Sequence, residues 1–301
     1  MVYLDGFGEV DALAFPTASQ VARDASAAIA RGAAACDDAF LSHPRYNEAQ
    51  RASGSTAVLT IIRNAVVRCD AFPGAGIGLP ADGEFTPVRR GGSGEDAAKA
   101  DAESDDEAVP VLAGRGGFAL RLAQLVTVAN IGDSEAVLCR GGRAICLSRA
   151  HKASDPREAA LIRQRGGIVI SKRVCGILAV SRAFGNCDAK RARAISGSTK
   201  SSNSMDLETD WISVEPHVLT FDAFGDVERG VFPADFLVLA CDGLFDVMRH
   251  QQVVDFCIKR LRKHQNVQRA AKELCQIAIE KFGSSDNVSV QILVFHQKFG
   301  G

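Results

Sequence analysis

Four aspartates recur in one kind of local setting. Asp5 follows the apolar Val2–Leu4, Asp133 follows LVTVANIG, Asp242 follows FLVLAC, and Asp286 directly precedes NVSVQILVF. Each has a small or turn-forming neighbour: Gly6, Gly132 with Ser134, Gly243, and Asn287. Any one alone reads as an ordinary turn, because Asp and Gly are residues that turns select. Three of the four end a strand-like run and one begins such a run. If the last strand runs antiparallel to its neighbours, all four share one rim of a sheet. Carboxylates crowded on a partly buried rim repel one another and lose hydration, at a cost of several kcal/mol per ion. Such a group calls for protons or a cation, and an oxygen-only donor set suits Mg²⁺ or Mn²⁺.

The elements that would hold those acids follow from periodicity. Residues 17–41 read as an alanine-rich helix with Val21, Ile29 and Phe40 on its apolar face. SGSTAVLTIIRNAVVRC (53–69) reads as strand after a Gly-Ser turn. In 122–148, apolar runs broken by IGDS and RGGR predict antiparallel strands. REAALIRQRGG (157–167) reads as a helix stopped by glycine, and 236–248 as a buried strand running into a turn. QQVVDFCIKRLRK (251–263) and VQRAAKELCQIAIEKFG (267–283) have helical spacing, and 287–295 reads as a last strand. Regular βαβ alternation is missing, so the class is α+β with helices covering antiparallel sheets. Residues 73–117 read as a disordered acidic insertion, because EDAAKADAESDDE has too little apolar surface to offset ordering entropy. Residues 186–210 read as a mobile flap or loop. The whole, 1–301, reads as one domain.

Composition narrows the function classes. The 301 residues are 47% hydrophobic with a formal net charge of -1, which gives no electrostatic case for nucleic acid or an anionic membrane. No apolar run approaches the ~20 residues a membrane helix needs, and the start lacks a secretory leader's pattern. Nine cysteines without a C-x-x-C pair read as mostly buried free thiols in a reducing compartment, cytoplasmic or nuclear, and argue against a cysteine-pair zinc site. The expected state is a monomer. His151 reads as a hydrogen-bonding loop residue rather than a base or ligand. Cys241 reads as packing, since a C-x5-R phosphatase loop would need arginine where Val247 stands. Arg182 reads as a structural ion-pair partner before a phosphate ligand.

The ordered strings GSTAV, VANIGDSEAVL, RVCGILAVSRAFGN, FLVLACDGLFDV and SSDNVSV resemble the metal-dependent type 2C protein serine/threonine phosphatases. The resemblance runs from Asp5 to Phe295 apart from the two polar segments. It implies an antiparallel β-sandwich flanked by pairs of antiparallel helices, in α-β-β-α layers, with two divalent metals, Mg²⁺ or Mn²⁺, at one end. It implies that Asp5 bridges both metals, that the Gly6 carbonyl binds one, and that Asp242 and Asp286 bind the other. Asp133 matches the acid serving a third, weaker metal. The implied substrate is a phosphoprotein, hydrolysed at phosphoserine or phosphothreonine by metal-activated water.

Four positions depart from the family's pattern. Phe7 in DGFGE stands where the family has histidine as general acid. Ala150 and Asn186 replace acids, and Glu135 replaces the arginine common after Asp-Ser. The family's earlier strand ending in Glu-Asp, with a phosphate-binding arginine before it, has no counterpart. Two further expectations follow: a pseudophosphatase that uses the fold as a binding or scaffold module, or a chain cut from a longer active phosphatase.

Overall fold

The computed structural model describes residues 16–43, 54–69, 111–113, 119–190, 210–224 and 234–295. In chain order the elements are α1 (Ala18–Leu41), β1 (Gly54–Ser55), β2 (Ala57–Cys69), β3 (Val111–Ala113), β4 (Ala119–Ile131), β5 (Glu135–Arg140) and β6 (Arg143–Cys146). Then come α2 (Pro156–Gln164), β7 (Val169–Ile170), β8 (Arg173–Val174), β9 (Phe184–Gly185), α3 (Cys187–Lys190) and β10 (His217–Asp222). The chain ends with β11 (Ala234–Ala240), α4 (Asp242–Phe245), α5 (His250–His264), α6 (Val267–Glu280) and β12 (Val290–Val294). Helices mix with antiparallel sheets, so the class is α+β. No described helix is long and apolar enough to cross a membrane. Contacts group the chain into two compact units, Met1–Arg23 with Ile62–Leu125, and Asp24–Ile61 with Val126–Gly301.

In the first unit, Val21 is buried with Val67, Ala123 and Leu125. The Arg68 N–H donates to the Pro16 carbonyl at 3.1 Å and ties the helix entry to the strand.

The second unit is built on the sheet order β12-β11-β5-β6, antiparallel throughout. Its two central strands alternate with period two, as the pleat dictates. Phe236, Val238 and Ala240 of β11, with Val137 and Cys139 of β5, join one cluster with Val253, Val254, Cys257 and Leu261 of α5 and Ala270, Leu274 and Ala278 of α6. Leu237, Leu239, Ala136 and Leu138 point the other way, into a cluster with Val126, Val128, Leu219 and Phe221. Burying a Val or Leu side chain fully contributes roughly 1.5–3 kcal/mol relative to exposing it, so these two faces hold the sheet between helices and strands. A third cluster, Ala153, Ile162, Val174, Val180, Ala183 and Ile212, surrounds α2, which Asp155 caps by accepting from the Arg157 N–H at 2.7 Å.

The expectation for 122–148 needs one correction. RGGR is a hairpin, with Arg140 opposite Arg143 and positive φ at Gly141 and Gly142 (57° and 75°), the twist that two-residue hairpins favour. IGDS is not. β4 lies between β10 and β2 in a different sheet, so the chain crosses between sheets at this turn. A hydrophobic run cannot show which sheet its successor joins. The buried stripe of α1 also differs from the expected one. Phe40 is 45% exposed, while Ala33, Asp37 and Leu41, spaced one turn apart, point inward. Within 73–117, Val111–Ala113 pairs with β4, and within 186–210, Cys187–Lys190 forms a helical turn. Most of those two segments lies outside the described residues.

Candidate metal centre

Strand polarity brings the acids to one rim. β11 runs antiparallel to both β12 and β5, with Ala240 opposite Val290 and also opposite Glu135. Asp242 leaves β11 at the end where β12 begins and where β5 begins. Asp286 and Asp133 therefore belong to that same end.

Two glycines allow the close approach. Gly132 has φ +103°, and a Cβ there would collide with Thr56. A Cβ on Gly243 would collide with the Asn287 carbonyl and meet the Asp286 Cβ at 3.5 Å. Asp242, one residue earlier, is thereby set beside the 286–287 turn. Further bonds latch the two segments together. The Ser284 hydroxyl donates to the Gly243 carbonyl (2.8 Å), the Cys241 thiol to the Asn287 carbonyl (3.1 Å), and the Ser289 N–H to Cys241 Sγ (3.2 Å). Cys241 is thus a half-buried bonded thiol. The Asp286 carboxylate accepts from the Asn287 N–H at 2.6 Å.

The electrostatics show what this crowding does. Asp133 is buried, and its carboxyl is pushed above the ordinary value, first by burial and then by the Asp242 carboxylate. Asp246 adds to that push, and Lys152 opposes it. Lys152 bonds Asp246 at 2.9 Å. Burial alone would lower the Lys152 ammonium, but the Asp246 bond and the fields of Asp246, Asp133 and Asp242 outweigh it and raise it. Among the described residues, three carboxylates thus share one ammonium, and the donor atoms are all oxygen. The surplus negative charge and hard donor set are of the kind that suits Mg²⁺ or Mn²⁺, although no three of these carboxylates bring their oxygens within 4.8 Å of one another.

Of the predicted ligands, Asp133, Asp242 and Asp286 lie at this rim, while Asp5 and Gly6, like Phe7, lie outside the described residues. Asp246 and Lys152 were not anticipated. Asp246 had a signal: ACDGLFD spaces two acids four apart, one helical turn, and the Asp246 N–H does donate to the Asp242 carbonyl at 2.8 Å. Lys152 had none beyond its place in the loop after β6.

Behind the rim, His151 is fully buried and braces the Asp133 turn. Its backbone N–H donates to the Gly132 carbonyl (2.9 Å), and its Nδ1 accepts from the Gly132 N–H (3.2 Å). Burial, then the charge of Arg182, lowers its pKa to about 4, so the ring is neutral at pH 7 with its proton on Nε2. Arg182 grips Glu158 through Nε (3.1 Å) and Nη2 (2.9 Å), and the Ser181 hydroxyl donates to the same carboxylate at 2.6 Å. The expected ion-pair role of Arg182 and loop-bracing role of His151 are what the structure contains. Asn186 is buried where a Cβ on Gly54 would strike it, at the β1–β9 pairing.

Comparison with known proteins supplies the context for this rim. The family model for protein phosphatase 2C matches residues 117–288. The chain is 36% identical to Protein phosphatase 1A of Bos taurus over 55% of this chain and 39% of that protein. It is 35% identical to Probable protein phosphatase 2C 57 of Oryza sativa subsp. japonica, over 60% of this chain and 44% of the other. The chain therefore spans less than half the length of these curated relatives. A solved phosphatase structure from a pathogenic strain of Toxoplasma gondii superposes with a TM-score of 0.56 at 24% identity, covering 91% of this chain and 75% of that one, a likeness of fold. The family model alone takes in more than half of the sequence, acids of the rim included, and the chain belongs to the protein phosphatase 2C family.

Proposed function

We propose that this chain hydrolyses phosphoserine and phosphothreonine in proteins with Mg²⁺ or Mn²⁺, Asp242 and Asp286 holding one ion and Asp5 with the Gly6 carbonyl completing a two-metal site. The supporting observation is the charge coupling of Asp133 and Asp242 around the Lys152–Asp246 pair. On this reading Asp133 and Asp246 serve a third, weaker ion. The bound ions would neutralise a phosphate carrying close to two negative charges and lower the pKa of the attacking water. The chain's own contribution is placement: Gly132 and Gly243 admit the turns, His151 braces one acid, and Lys152 limits the repulsion among three. Phosphoproteins are the partners this chemistry requires.

Phe7 favours a second reading, a pseudophosphatase. The departing serine alkoxide needs a proton, phenylalanine has none to give, and a positioned acid is worth about 10²–10⁴-fold. The experiment is phosphate release from a phosphopeptide with and without Mn²⁺, run beside Asp242→Ala. Mn²⁺-dependent turnover that the variant lacks supports the enzyme. Equal activity in both proteins removes it. Calorimetric Mn²⁺ binding without turnover leaves the binding module as the function.

A further inference from the structure

Beside the acid rim, three side chains of different chemistry converge. His250 Nε2 lies 3.0 Å from Glu135 Oε2, and Cys146 Sγ lies 3.5 Å from the same oxygen. One ligand atom from each residue lies within 4.8 Å of the other two. Among the described residues no other trio of His, Cys, Asp or Glu gathers this closely.

The fold explains the convergence. Cys146 on β6 stands directly opposite Val137 on β5. Glu135 is two residues before Val137, so Glu135, Val137 and Cys146 share one face of the sheet. Val137 belongs to the cluster beneath α5 and α6, which identifies that face as the helix-covered one. Gln251 then pins the start of α5 over the β5–β6 hairpin: its Oε1 accepts from the Ala144 N–H (2.9 Å) and its Nε2 donates to the Gly142 carbonyl (3.0 Å). His250, the preceding residue, is carried over Cys146 and Glu135. An edge-to-face contact with Phe245, centroids 5.2 Å apart, also holds the ring.

We infer that Glu135, Cys146 and His250 form a second metal site, selective for a zinc-like borderline cation and separate in ligands from the oxygen-only rim. Thiolate and imidazole donors prefer Zn²⁺ or Co²⁺ to Mg²⁺, whereas carboxylates alone do not discriminate in that direction. Zinc donors at about 2.0–2.3 Å sit roughly 3.3–3.8 Å from one another, so the spacing needs only small side-chain shifts. Cys146 is exposed, leaving a fourth position open to water. On binding, the Cys146 thiol releases its proton to solvent and the thiolate takes the metal. The nine-cysteine sequence lacks closely spaced pairs, the usual mark of a zinc site; here the ligands come from β5, β6 and α5, which spacing along the chain cannot reveal.

The test uses the full chain, stripped with chelator and titrated with Co²⁺ alone. A thiolate-to-cobalt charge-transfer absorption saturating at one equivalent is expected. It should vanish in Cys146→Ser, weaken at least tenfold in affinity in His250→Ala and in Glu135→Gln, and persist in Asp242→Ala. Folding of each variant is checked by circular dichroism. Alkylation of Cys146, mapped by mass spectrometry, gives an independent reading: Zn²⁺ should slow it at least tenfold in the wild type and not in His250→Ala. The inference is overturned by an absorption that survives Cys146→Ser, by one lost in Asp242→Ala, or by alkylation at the same rate with and without Zn²⁺. None of these outcomes depends on phosphatase activity.

Discussion

Among its described residues, the second unit contains two lysine–aspartate pairs of similar length and opposite character. Lys190 and Asp37 meet at 2.7 Å with side chains 2% and 7% exposed, whereas Lys152 and Asp246 meet at 2.9 Å with side chains 35% and 60% exposed. Burial lowers Lys190 despite Asp37, while surrounding carboxylates raise Lys152 despite its own burial. The sealed pair is fully occupied with structure: Lys190 also donates to the Ala183 carbonyl (2.6 Å), and Asp37 accepts from the Gly185 N–H (2.7 Å). Among the described residues, the open pair leaves two neighbouring carboxylates, Asp133 and Asp242, to share the field of an ammonium already bonded to Asp246. Equal chemistry thus serves stability in one place and leaves a charge deficit in the other.

The sharpest way to break the comparison is to remove one half of the sealed pair. Asp37→Ala strands a buried ammonium and frees the Gly185 N–H, and removing one partner of a buried pair costs about 3–5 kcal/mol. Urea unfolding should show that loss. Lys190→Met with Asp37→Leu should recover part of it, because a matched apolar pair leaves no buried ion, while the Gly185 N–H and the Ala183 carbonyl each still lose a partner. A single-variant loss below about 1 kcal/mol would place the sealed pair in the same class as the open one.

Acid stability separates the region behind the rim from the rim itself. Folded His151 refuses a proton between its ordinary 6.5 and about 4, whereas the unfolded chain accepts it. Its contribution to stability is therefore complete above pH 6.5 and is lost as the pH falls toward 4. Glu158, lowered from its ordinary value because the Arg182 and Ser181 bonds outweigh its burial, adds a loss of the same sign at lower pH. Arg149, Arg182, Glu158 and His217 are the charged or titratable groups acting on the ring. His151→Phe should flatten the slope of unfolding free energy between pH 6.5 and 4, leaving the smaller share of His217, which is also lowered by burial. An unchanged slope would mean that His151 is not the group that charges.

How much of this was legible in the sequence depends on whether one strand or several carried the information. The common rim of Asp133, Asp242 and Asp286 could be anticipated, because each acid sits at the end of one apolar run and antiparallel pairing does the rest. The period-two faces of β5 and β11 were equally readable. The crossing at Gly132 was not, since an apolar run such as LVTVANI fits either sheet. Nor was the inward stripe of α1, where Ala33 and Asp37 displace the larger Phe40; size and hydrophobicity mislead when a buried aspartate has its lysine 153 positions away. Glu135 looked merely substituted until β6 and α5 placed Cys146 and His250 beside it.

The open pair gives the smallest effect on stability and the clearest one on binding. Lys152→Met removes a half-exposed pair, worth about 0.2–1 kcal/mol, so the unfolding midpoint should scarcely move. The same change takes the opposing charge of Lys152 from Asp133 and Asp242. Asp133 should then titrate at still higher pH, visible by carboxyl NMR, because Lys152 is the larger of the influences that oppose its rise. A divalent cation would then meet the three carboxylates without the Lys152 ammonium beside them. At about 1 kcal/mol per pair of unit charges a few ångströms apart in water, the doubly charged Mn²⁺ is relieved of about 2 kcal/mol and should bind roughly thirtyfold tighter to the variant. Tighter metal with unchanged stability is an outcome that a purely structural Lys152 cannot produce. Weaker metal binding in the variant would mean that the lysine helps to build the site rather than standing in for its ion.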